Sequence, residues 1–192
     1  MLSRPEIFAL SQSTIVVGLV FTIAYARGEG GIGFPDAIII FIVSLLCAGA
    51  GFMLHELMHK LLARRQGYSA EYRSNTAYTA LSILAAFAGW IMLAPGGVHL
   101  TGAGGMLNRK AIGMIALAGP ATNLLLSVGF YVSSAIPLFR AIGYFGYDIN
   151  IWLALFNMVP IPGFDGQKVW SWSKPLYLGF CLMALVVFLL PS

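Results

Sequence analysis

Charge is scarce in this 192-residue chain: only 9% of its residues are Asp, Glu, Lys or Arg, where soluble domains carry about a quarter. That scarcity, beside long apolar stretches, excludes a disordered chain. The 11 basic residues against 7 acidic ones are too few and too scattered for a nucleic-acid surface, so no nucleic-acid partner is expected. There are only two cysteines, Cys47 and Cys181, both inside apolar runs, which excludes a disulfide scaffold. No internal repeat, low-complexity tract or charge run interrupts the sequence, and a single domain over 1–192 is expected. What is present is apolar: 59% of residues are hydrophobic and the mean hydropathy is +0.85. This is the composition of a polytopic membrane protein in a lipid bilayer.

A membrane-spanning helix needs about 20 mostly apolar residues. Apolar runs fall at 7–26, 36–65, 76–93, 111–139, 141–159 and 175–191. The first also reads as a signal peptide, with Arg4 ahead of it and Ala24-Tyr25-Ala26 at its end. If all six runs cross, the basic residues divide almost evenly between the two sides. If 75–110 instead enters and leaves on one side, only Arg27 and Arg140 of the 11 basic residues lie outside. The positive-inside rule selects that path. Run 76–93 is also short, and Pro95-Gly96-Gly97 follows it. The expectation is therefore an all-α polytopic membrane protein of five to six transmembrane helices, with a small embedded or interfacial β-hairpin or sheet.

Ionisable residues at membrane depth need a reason. The second run holds His55-Glu56-Leu57-Met58-His59, an H-E-x-x-H pattern on an apolar helix. Residues four apart are about 40° apart around a helix, so His55 and His59 share a face and can bind one metal ion. Glu56 sits about 100° round from His55, within reach of a metal's water without being a ligand. Arg64 and Arg65 mark the inner boundary, which places His55 about 15 Å deeper and disfavours a surface helix end.

A catalytic zinc site uses three protein ligands. Cys47 is about 12 Å along the same helix from His55 and reads as a small buried apolar residue. Glu71 reads as a partner of Arg73 or of water. Asp148, beside Tyr144 and Tyr147, suggests an outer interfacial belt and a helix cap. His99, in the strand-like stretch 98–100, reads more simply as a hydrogen-bonded histidine than as a ligand. Asp165 has the best case. It follows Asn157-x-x-Pro160-x-Pro162-Gly163-Phe164 and precedes Gly166, a pattern that must break a helix near the inner face. Without the metal motif, the same residues would read as an ordinary turn.

Together, His55-Glu56-x-x-His59 and Asn157-x-x-Pro160-x-Pro162-x-x-Asp165-Gly166 resemble the site-2 protease family of intramembrane zinc metalloproteases. Ala118-Gly119-Pro120-Ala121-Thr122-Asn123 is similar to a stretch that family carries between its two metal motifs. The resemblance covers roughly 36–172, the expected catalytic core, with 1–35 and 173–192 as accessory transmembrane segments. It implies that His55, His59 and Asp165 bind one zinc ion, that Glu56 activates water, and that Asn157 positions the substrate or polarises its carbonyl. It further implies a membrane-protein or peptide substrate cleaved in or near a transmembrane segment, at a cell-membrane site open to the cytoplasm. The sequence departs from the family in having no room for a PDZ or nucleotide-binding domain. One apolar segment, 175–191, follows the aspartate motif where some relatives have two.

Other residues have narrower readings. The segment Gly97-Val98-His99-Leu100-Thr101 offers a strand edge to an unwound substrate, and Gly102, Gly104 and Gly105 offer a mobile rim. Asn123 reads as an interhelical hydrogen bond. Trp90, Trp152, Trp170 and Trp172 read as interface anchors or packing. The main rival is a non-catalytic metal-binding membrane protein of regulatory or scaffold type; a transporter is disfavoured because the polar residues do not cross the bilayer as a chain.

Overall fold

The computed structural model describes residues 2–28, 30–31, 33–93, 95–101 and 108–190. Gly102, Gly104 and Gly105, expected to form a rim, lie outside the described residues. The apolar runs become helices: α1 Arg4–Gly28, α2 Phe34–Ser44, α3 Ala50–Arg65, α4 Thr76–Phe87, α5 Arg109–Ser133, α6 Arg140–Asn157, α7 Asp165–Trp172 and α8 Lys174–Phe188. A π-helical turn, Leu45–Gly49, joins α2 to α3 without ending the helix. Among the described residues three helices, Arg4–Gly28, Phe34–Arg65 and Arg109–Ser133, are long and apolar enough to cross a membrane.

Run 76–93 gives only the 12-residue α4. At about 1.5 Å per residue it falls well short of a roughly 30 Å bilayer core. It lies between two short strands, β1 Ser69–Ser74 and β2 Gly96–Thr101, which pair as a two-stranded antiparallel sheet. The expected sheet is present, with its first strand ahead of α4 rather than after it.

The chain forms two compact units, Met1–Met53 with Glu71–His99, and Leu54–Ala70 with Leu100–Ser192. In the first, α1 buries Leu10, Val17, Val20 and Phe21. It also buries a carboxylate, Glu6, whose Oε1 accepts from the Tyr72 backbone N–H at 3.1 Å. The Tyr72 hydroxyl donates to Ser13 Oγ at 2.8 Å, so β1 is tied to α1 at two points.

In the second unit, α5, α6, α7 and α8 close around Ala116, Leu124, Tyr147, Ile151, Ala154, Met158, Val169, Phe180 and Ala184. Between α6 and α7 the predicted break is present, at 158–164. Pro160 and Pro162 cannot donate to a helical ladder, and Gly163 has φ +99, open to glycine at little cost. Gly166 is needed for a second reason: a Cβ there would lie 2.1 Å from the Met158 carbonyl oxygen. The chain folds back so tightly that only glycine follows Asp165.

Candidate metal centre

Within the second unit, α3 presents His55 and His59 one turn apart, with ring centroids 4.6 Å apart and planes at 84°. The start of α7 brings Asp165 to them. Its Oδ2 lies 3.2 Å from His55 Nε2 and 3.0 Å from His59 Nε2. All three side chains are buried, and one ligand atom from each lies within 4.8 Å of the others. Among the described residues this is the one group of three or more His, Cys, Asp or Glu side chains placed to hold a metal ion.

The other ring nitrogens are also committed. His59 Nδ1 donates to the Ile115 carbonyl at 2.7 Å, on α5. His55 Nδ1 lies 2.6 Å from Asn123 Oδ1, also on α5. The interhelical bond expected of Asn123 is therefore present, and its partner is one of the two imidazoles. Both Nδ1 atoms are thus turned away from Asp165, which leaves both Nε2 atoms facing it. Histidine metal ligands are commonly held this way.

Gly119 shows why α5 can lie this close. A Cβ there would sit 2.4 Å from His59 Nε2 and 2.5 Å from His55 Nε2, so the Ala118-Gly119-Pro120 stretch keeps the ligand face clear. On the far side of the carboxylate, Lys168 Nζ donates to Asp165 Oδ1 at 3.1 Å. One oxygen of Asp165 thus faces the imidazoles and the other a cation.

The donor set fits zinc. Two neutral imidazoles and a carboxylate are oxygen and nitrogen donors that zinc accepts, in a site with a fourth position left for water. Tetrahedral bonds of about 2.0–2.1 Å separate neighbouring donors by about 3.3 Å, close to the spacing from Asp165 Oδ2 to each imidazole.

Glu56 is buried next to His55 on α3. Asn157, at the end of α6, donates its Nδ2 to the Leu153 carbonyl at 3.0 Å, one turn back in its own helix. The remaining ligand candidates are not members of the group. Glu71 pairs with Arg73 at 2.9 Å, as expected. Cys47 is buried in the π turn, and His99 lies on β2. Asp148 is exposed in the middle of α6, which begins eight residues earlier at Arg140, so it caps no helix. Trp152 stacks on Phe156 at 4.6 Å and Trp170 lies under Lys174 and against Tyr177, whereas Trp90 is exposed.

Sequence reasoning passed over Asn150. Fully buried on α6, its Oδ1 accepts from Asn123 Nδ2 at 3.0 Å, and its own Nδ2 donates to the Gly146 carbonyl at 2.9 Å. An amide in the middle of an apolar helix is the signal that could have found it.

Helices of membrane-crossing length and a buried His-His-Asp group define a helical membrane protein able to hold one metal ion. The chain is 38% identical over 177 residues to "Putative zinc metalloprotease MJ0611" of Methanocaldococcus jannaschii, covering 89% of this chain and 86% of that protein. It is 31% identical over 171 residues to "Putative zinc metalloprotease Rip3" of Mycobacterium tuberculosis, covering 82% of this chain and 38% of that longer protein. No family model and no solved structure matches the chain. The chain belongs to the family of these zinc metalloproteases, the site-2 protease-like family.

Proposed function

We propose that this protein hydrolyses a peptide bond in or near a transmembrane segment of a membrane-protein substrate, with one zinc ion on His55, His59 and Asp165 and with Glu56 as general base. The observation that carries this reading is the convergence of both imidazole Nε2 atoms on Asp165 Oδ2, at 3.2 and 3.0 Å. When bound, zinc supplies a Lewis acid and lowers the pKa of its water to about 7.

The chain's own residues do the rest. With Nδ1 of His55 and His59 engaged on α5, it is the Nε2 atoms that are left to face the ion. Lys168 occupies one oxygen of Asp165 and leaves the other for the ion. Glu56 takes the proton of the attacking water and passes it to the leaving amine. Asn157 supplies an amide donor to the developing oxyanion, which requires it to exchange its bond to Leu153 for the substrate.

A helical substrate hides its carbonyls in its own hydrogen bonds and must unwind before attack. An unwound segment can pair with a free strand edge, and β2 at Val98 is suited to receive it. In this reading the whole chain works as one protease domain with 36–172 as its core. It crosses the cell membrane five times, with the site open to the cytoplasm where the basic residues gather.

The test is Glu56→Gln, assayed on a transmembrane substrate in detergent together with metal analysis. Cleavage should fall by about 10²–10⁴-fold with zinc content unchanged. Undiminished cleavage would refute the general base, and zinc-loaded wild type without any cleavage would leave a non-catalytic metal protein. In Val98→Pro, cleavage should fall with zinc content intact; equal activity would remove the strand-edge role.

A further inference from the structure

We infer that Asn150 is a positioning residue for the metal site, fixing which nitrogen of His55 faces the ion from two side chains away. The inference rests on the zinc site proposed above, and it follows from the direction of a hydrogen-bond chain. The chain starts at the Gly146 carbonyl, which can only accept. Asn150 must therefore offer it the NH₂ end of its amide, at 2.9 Å. That turns Asn150 Oδ1 toward Asn123, where it accepts from Nδ2 at 3.0 Å. Asn123 is in turn left presenting Oδ1 to His55 Nδ1 at 2.6 Å. A carbonyl oxygen there requires the proton on Nδ1, and in the neutral imidazole that puts the lone pair on Nε2, toward Asp165.

Each link has one polarity, and the backbone sets it. If Asn150 released Asn123, the Asn123 amide could rotate and offer its NH₂ to His55. Nδ1 would then be the acceptor, Nε2 would carry the proton, and His55 could not ligate. His59 reaches the same state with no intermediary, since its Nδ1 donates straight to the Ile115 carbonyl at 2.7 Å. Both imidazoles are thus locked by a backbone carbonyl, one directly and one through two buried amides. Asn123 and Asn150 are 1% and 0% exposed, so water cannot easily substitute for either.

The test exploits that asymmetry. The chain has three histidines, so ¹⁵N-histidine labelling of the full-length protein in micelles gives few signals to assign. Zinc-stripped wild type should show His55 and His59 both protonated at Nδ1. Asn150→Leu should shift His55 toward the Nε2–H form, leave His59 unmoved, and weaken zinc binding by about 10–100-fold. Asn150→Asp should keep the wild-type pattern. Burial favours the neutral form of its carboxyl, which can donate to Gly146 while accepting from Asn123. Should Asn150→Leu fail to fold, Asn150→Ala carries the same prediction.

An unchanged His55 with unchanged zinc affinity overturns the inference. So does movement of both imidazoles together, or an Asn150→Asp variant that behaves like Asn150→Leu, since either would mark a merely structural residue. Failure of the zinc site itself would appear separately, as wild type that takes up no zinc while its tautomers still follow Asn150.

Discussion

In the first unit the buried Glu6 carboxylate takes the backbone N–H of Tyr72, whereas in the second the buried Asn123 amide takes the ring nitrogen of His55. The polar groups of the first unit hold a strand: Glu6 takes the Tyr72 backbone N–H and Ser13 the Tyr72 hydroxyl, which fix β1 against α1. Those of the second hold side chains in one orientation: Ile115, Asn123, Asn150 and Lys168 fix how two imidazoles and a carboxylate meet. The two kinds of burial serve different ends. Loss of the first loosens a strand, and loss of the second misaligns donors that must agree to a fraction of an ångström.

This contrast can be broken by substitution. The largest effect belongs to Gly119→Ala, whose methyl would enter the space between both Nε2 atoms. Zinc affinity should fall at least 10-fold, on the scale of disturbed ligand orientation, while overpacking lowers the stability of the metal-free protein by about 1–3 kcal/mol. Equal zinc affinity, measured by competition with a chelator, would show that the ligand face tolerates a side chain. Next is Glu6→Ala, which takes from the Tyr72 N–H its carboxylate acceptor. Denaturant unfolding in micelles should show a loss of about 1–3 kcal/mol, while zinc content stays at the wild-type level. Loss of zinc in that variant would collapse the distinction between the two regions. The smallest effect is that of Tyr72→Phe, which removes one hydrogen bond to Ser13 and should lower stability by about 1 kcal/mol.

Sequence made the helices legible because lipid imposes long apolar runs, and four of the six runs match helices within a few residues at both ends, while 76–93 outlasts α4, which stops at Phe87, and 111–139 outlasts α5, which stops at Ser133. It exposed His55 and His59 because a four-residue spacing has one geometric meaning on a helix. Asp165 was legible by its surroundings, since two prolines and two glycines must stop α6 and start something new. The strand β1 was not. Its residues, Ser69–Ser74, are polar and lie outside every apolar run, and only pairing with β2 across α4 makes them a strand. Glu6 was hidden beside Arg4, where a charge looks like the wet end of a helix. Asn150 was hidden because a single amide carries no spacing, and its meaning comes from Asn123 on α5 and Gly146 in its own helix.

The central claim is that two histidines of one helix and an aspartate over a hundred residues later share one ion. Metal analysis of the purified wild type beside Asp165→Ala tests it most directly. About one zinc per chain in the wild type, and little or none in Asp165→Ala, is the result expected. Full zinc occupancy in Asp165→Ala, or wild type that binds no zinc when it is supplied, would contradict it.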